Sequence, residues 1–181
     1  MPLGRPLGLL VVLTVVVATA IALERLRPAV PREVPLLGIR ADDVVAVRIE
    51  EGTRELQAVR QGDAWRVEVP PGARPDAGAA VAEMVGVLVE LVPLDTFVRQ
   101  EIDRRAFGIK PARVRIQLGV RGSAEPVVLL LGDYVPTGGS VYCALASDQR
   151  IHQIGAIIMS ELEKAFYRTL PEQAREGEQG R

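Results

Sequence analysis

Seventeen consecutive residues near the amino terminus, Leu7 to Leu23 (LGLLVVLTVVVATAIAL), carry no charge and present no polar face. A helix that is apolar all round needs lipid or a large protein interior around it. At about 1.5 Å per residue the run spans ~25 Å, a little under the ~30 Å hydrocarbon core of a bilayer. Arg5 before it and Arg25 and Arg27 after it can snorkel to close that gap. The run therefore reads as a single N-terminal transmembrane helix, with residues 1–27 as a membrane anchor in contact with lipid. A cleaved signal peptide is the competing reading, with Ala18-Thr19-Ala20 as a small-residue cleavage site. The apolar run continues past that site through Ile21, Ala22 and Leu23, which favours an uncleaved anchor. No Cys follows it, so a bacterial lipoprotein anchor is excluded.

Charge divides the chain in the same place. Residues 1–40 hold five Arg and two Glu, a balance of +3, and the remainder holds 17 basic and 21 acidic groups, a balance of −4. An acidic body argues against a nucleic-acid partner, which requires a basic face. Arg flanks the apolar run on both sides, so the positive-inside rule gives no clean orientation. The short tail ahead of the run resembles that of a signal anchor. Such an anchor leaves its tail in the cytoplasm and exports the chain behind it. The expected location is the bacterial inner membrane, single-pass, with the domain on the periplasmic side. Twenty of the 22 basic residues are Arg and Asn is absent, a compositional bias that weakens any single Arg as a recognition signal.

Three prolines between Pro28 and Gly38 favour extended backbone, so residues 28–40 read as a stalk. The polar residues 171–181 read as a disordered tail, which leaves 41–170 as one domain. Val45, Val47 and Ile49 alternate with Ala46, Arg48 and Glu50, a half-buried strand. Leu56 and Ala58, a Gln61-Gly62-Asp63 turn, and Trp65, Val67 and Val69 give a hairpin that Pro70-Pro71-Gly72 stops. Asp76 is placed to cap a helix that Pro93 closes, with Val81, Met84, Val85, Leu88, Leu91 and Val92 on one face. Glu83, Glu90 and two glycines argue against a second membrane span there. Leu94–Val98 reads as a short strand or loop, and Glu101–Ala106 as a charged helical turn. Val114, Ile116, Leu118 and Val120 make an open-faced strand. Pro126–Leu131 is continuously apolar, hence more central, and Gly132-Asp133 ends it. Strands over Val141–Ala146 and Arg150–Ile154 precede a last helix, Ala156–Arg168. Val47-Arg48-Ile49 is echoed by Val114-Arg115-Ile116, the basis for expecting a duplicated β-β-β-α unit. The fold class expected is α+β: mostly antiparallel sheet with two main covering helices, preceded by the transmembrane helix.

An ordered set of motifs runs through this body: Trp65-x-Val67 before Pro70, a helix ending Leu88-x-x-Leu91, Phe107-Gly108-Ile109-Lys110-Pro111, Leu131-Gly132, Gly139, and Val141-Tyr142. In that order they resemble the family called domain of unknown function 4340, over roughly Val44 to Ile158. Phe107 stands where that family usually has Tyr, and the chain holds one copy of a module that many members carry at greater length. The resemblance implies a membrane-anchored, non-cytoplasmic protein associated with gliding-motility-type ABC transporters. It implies no catalytic residue and no cofactor.

Side chains with chemical potential are few. Alternation places the lone His152 opposite Ile151, on the outer face or at an edge, as a solvated histidine. The lone Cys143 shares a face with Val141 and Leu145 and reads as a buried thiol, and Trp65 as core. Asp42-Asp43 read as turn residues and Arg104-Arg105 as a solvated pair. Gly132–Ser140 is Gly-rich but lacks the Lys-Ser/Thr of a phosphate loop. Its Asp133, Tyr134, Thr137 and Ser140 form the candidate contact loop. No catalytic, cofactor or metal residue is assigned. The expected function is a non-catalytic interaction module, an accessory subunit that meets membrane-protein partners of an ABC-transporter or envelope complex. The alternative is a periplasmic small-ligand-binding or hydrolytic domain that uses the Gly132–Ser140 loop.

Overall fold

A computed structural model describes residues 34–98 and 103–170. The chain falls into two units, Met1–Glu33 and Val34–Arg181. The anchor, the first part of the stalk and the tail lie outside the described residues. Among the described residues, no helix is long and apolar enough to cross a membrane.

The described residues of the second unit are α+β, an eight-stranded antiparallel sheet with two helices. The strands are β1 (Val44–Glu51), β2 (Arg54–Gln61), β3 (Ala64–Val69), β4 (Asp95–Phe97), β5 (Val114–Val120), β6 (Val127–Tyr134), β7 (Ser140–Leu145) and β8 (Ile151–Gly155). The helices are α1 (Ala77–Val89) and α2 (Ile157–Thr169). The sheet order is β3-β2-β1-β5-β6-β7-β8-β4. Each run of neighbours is a local meander, because short turns such as Gly52-Thr53 and Gly62-Asp63 return the chain beside itself. The two meanders join where β1 pairs with β5, with Ile49 opposite Ile116.

One apolar row crosses the sheet. Ile49 faces Leu56 in β2, Ile116 faces Leu129 in β6, Leu131 faces Cys143 in β7, and Val141 faces Ile154 in β8. These side chains and the inner faces of α1 (Val81, Met84, Leu88) and α2 (Ile158, Leu162, Phe166) form one core. Each large side chain fully buried there stabilises the fold by roughly 1.5–3 kcal/mol. The helices lie against each other, and Lys164 of α2 meets Glu83 of α1 at 2.5 Å.

The opposite face is covered at one end only. A 3-10 turn over Arg104–Phe107 lays Phe107 against Phe97 of β4 and Tyr142 of β7, with ring centroids 6.0 and 4.8 Å apart. Edge-to-face geometry between Phe107 and Tyr142 is the arrangement aromatic quadrupoles favour. Beneath this segment Gly132 is obligatory, since a Cβ there would stand 2.0 Å from the Phe107 carbonyl oxygen. At the β3-β2-β1-β5 end the same face carries exposed or half-exposed charges. Arg48 bridges Glu50 at 2.8 Å and Glu55 at 2.9 Å, and Arg66 meets Glu68 at 2.8 Å.

Several boundaries differ from the sequence expectation. Helix α1 stops at Val89, a few residues ahead of Pro93, so Leu91 and Val92 lie beyond it. The ring of Pro93 is incompatible with a helical carbonyl four residues earlier, and Pro93 also disfavours helix at Val92. Asp76 does not cap α1: its backbone is helical (φ −84°, ψ −6°), and its carboxylate accepts from Arg74 Nε at 3.0 Å. Strand β6 does not end at Gly132-Asp133 but continues through them to Tyr134. The domain also takes in residues that the proline pattern assigns to the stalk. Leu37 is buried in the core, and Leu36 N–H donates to Leu91 O at 2.7 Å.

Candidate functional site

The candidate contact loop links β6 to β7, and the structure separates its four residues. Asp133 and Tyr134 end β6 and are both exposed, and Thr137 sits in the exposed turn that Gly138 N–H closes onto Val135 O at 2.8 Å. The Tyr134 ring lies under the Arg113 guanidinium, 5.4 Å from centroid to carbon. The Asp133 carboxylate stands against Gly108, whose φ of +66° and lack of a side chain admit it. Asp133 therefore packs on the turn after Phe107. Ser140 is buried, and its hydroxyl accepts from Gln153 Nε2 at 2.7 Å.

His152 corrects the sequence reading. It is buried, not solvated, at 3% exposure. Both faces of β8 are covered, so the burial of Ile151 does not send its neighbour outward. His152 lies opposite Cys143 in the β7–β8 pair and opposite Thr96 in the β4–β8 pair, on the helix side of the sheet. Its Nδ1 is 2.9 Å from Thr96 Oγ1. Burial lowers its pKa, Arg150 lowers it further, and Asp148 partly offsets both. Burial pushes the Cys143 thiol up to about 12, so the reactive thiolate is suppressed. Ser140 alternates to the opposite face from Cys143 and His152, so its hydroxyl and the imidazole cannot form a nucleophile–base pair.

The Arg104-Arg105 pair is corrected in part. The Arg104 guanidinium donates to the carbonyl of Asp148 and so ties the 3-10 turn to the β7–β8 turn. Asp148 in turn accepts from the Arg150 backbone N–H at 3.0 Å and Nε at 2.6 Å, which holds its carboxyl below the usual range.

Sequence reasoning missed a second site. A groove of about 600 Å³ opens where the end of α2 meets the β1–β2 turn and the Val69–Pro71 exit from β3. Phe166, Tyr167 and Leu170 form its apolar wall. Arg54 forms its rim, with Nη1 at 2.9 Å and Nη2 at 2.5 Å from the two carboxylate oxygens of Glu163, a bidentate pair. Arg54 also meets Glu51 and stacks 4.6 Å above the Phe166 ring. Glu163 holds the Arg54 pKa above its usual value, and Arg54 holds the Glu163 carboxyl below its own. Arg54 and Glu163 are 109 residues apart, so no local pattern signals the pair. Asp133, Tyr134, Thr137 and Ser140 do not line this groove.

No family model, no curated protein and no solved structure matches this chain.

Proposed function

We propose that the chain is a membrane-anchored, non-catalytic interaction module, with its domain on the periplasmic side of the bacterial inner membrane. In this reading it serves as an accessory subunit of an ABC-transporter or envelope complex. The observation that carries the non-catalytic part is the placement of the reactive groups. Cys143 and His152 are enclosed in the helix-side core, and Ser140 is enclosed on the other face with its hydroxyl already bonded to Gln153. The uncharged Leu7–Leu23 run supports the anchor. The resemblance to the domain of unknown function 4340 family supports the transporter association. Two of the motifs behind that resemblance, Phe107-Gly108 and Leu131-Gly132, meet in space at a contact that tolerates only glycine at 132. The duplicated unit belongs to the same reading. Its support is that the two Val-Arg-Ile segments lie in paired strands, with Ile49 opposite Ile116. The second meander has an extra strand, β8, before its helix, so such a duplication was followed by divergence.

Placement is tested with Thr137→Cys in the full chain. Native Cys143 is buried with a suppressed thiolate and supplies little background. A membrane-impermeant maleimide should label the variant in intact cells. Labelling only after lysis overturns the periplasmic placement. Co-purification of the same chain from mild detergent should recover a membrane-protein partner in fixed stoichiometry. Repeated recovery of the chain alone overturns the accessory-subunit reading.

A further inference from the structure

Among the described residues, His152 Nε2 is the one buried side-chain nitrogen or oxygen without a hydrogen-bond partner. A buried orphan of this kind calls for a physical account. The neutral imidazole fits the site as the Nδ1–H tautomer, which donates to the Thr96 hydroxyl and leaves no proton on Nε2. An imidazolium has two N–H donors, and the second would point from Nε2 into an interior that offers it no acceptor.

The charged surroundings do not repair this. From β7, the neighbour opposite is Cys143, kept protonated by its burial. From the β7–β8 turn, Arg150 opposes the imidazolium and Asp148 favours it. From β4, Asp95 alternates to the far face of the strand and pairs with Gln153. The buried residues of α1 and α2 are all uncharged, and Glu83 and Lys164 on those helices pair with each other outside.

The weakest element touching His152 is β4. It has three residues, lies at the sheet edge, and pairs with β8 alone. Its flanks bury little: Leu94 is 65% and Val98 73% exposed. We propose that His152 is an acid-sensitive latch, in which the neutral imidazole bound to Thr96 holds β4 on the sheet edge and protonation releases Asp95–Phe97. The sign follows from burial. The latched state binds the proton less readily than the released state, in which the imidazole has its ordinary value near about 6.5. The latch is therefore fully stable above that pH and weakens as pH falls below it, by at most about tenfold per pH unit for one proton. The weakening ceases once pH drops below the lowered pKa of the latched imidazole.

Amide hydrogen exchange of the 94–98 segment, measured on the full chain in mild detergent from about pH 7.5 to 5 and corrected for intrinsic rates, tests this. Protection of β4 should fall below about pH 6.5 while that of β1 and β5 holds steady. His152→Leu should abolish the pH dependence, and Thr96→Val should lower β4 protection roughly fivefold at neutral pH. Unchanged β4 protection across the range, or an equal acid loss in His152→Leu, overturns the proposal. Should His152→Leu not fold, the native chain decides. It has one histidine, so its imidazole resonance is unambiguous. Titration below the ordinary value, with β4 amides shifting in step, sustains the latch; titration near about 6.5 with β4 unmoved overturns it.

Discussion

The two ends of the sheet are built on different terms. At the β3-β2-β1-β5 end, helices cover one face and a charged ladder around Arg48 covers the other. At the β6-β7-β8-β4 end, helices cover one face and the Phe107 segment covers the other. At the one-sided end Val47, Ile49 and Trp65 turn inward as their spacing requires, and the exception is local: the β-bulge between Val44 and Ala46 buries Val44 and leaves Val45 half-buried. The two-sided end has no outward face to give, so Cys143, Ala144, Ile151 and His152 are all buried in succession along their strands. Alternation is a statement about solvent on one face, and it fails where that solvent is absent.

Three substitutions test this contrast, in descending order of effect. Gly132→Ala forces a Cβ against the Phe107 backbone carbonyl, a contact that no rotamer change relieves. A loss of about 3 kcal/mol is expected in denaturant unfolding of the full chain. An unchanged midpoint would show that the Phe107 segment does not press on the sheet. Phe107→Ala keeps the backbone contact but removes the ring from Phe97 and Tyr142, at a cost of about 2 kcal/mol, since the ring is only half-buried. Faster exchange should then concentrate in β4 and β7. A loss spread evenly over all strands would mean that the two ends are not distinct. Arg48→Ala, on the one-sided end, removes two ion pairs from a side chain 47% exposed and should cost under about 1 kcal/mol. The deficit should shrink further in high salt. A cost comparable to that of Phe107→Ala would show the charged ladder to be a second structural layer.

The Arg54–Glu163 pair and the His152–Thr96 contact illustrate what a linear reading leaves out. Each partner is ordinary in its own neighbourhood: Arg54 follows a turn, Glu163 sits on the outer face of a helix, and Thr96 belongs to a three-residue strand. Their meaning comes from register and helix placement, which sequence spacing does not encode across 109 or 56 residues. The contact loop fared similarly. Its turn between β6 and β7 was legible from Thr137-Gly138-Gly139, whereas the inward turn of Ser140 follows from Gln153 lying across the β7–β8 pair.

By itself the sequence determined the α+β class, six of the eight strands to within a few residues, both helices, and the burial of Cys143 and Trp65. These rest on local periodicity and on turn and proline chemistry, which act over a few residues and need no partner. It also left β4 undecided between strand and loop, and it ended β6 too early at Gly132. Only the tertiary structure decided that β1 joins β5, that β4 pairs with β8, and that the Phe107 segment seals one end of the sheet. Those outcomes set which faces meet water. Water on a face is what converts an alternating pattern into an inside and an outside, and for His152 that decision reversed the answer.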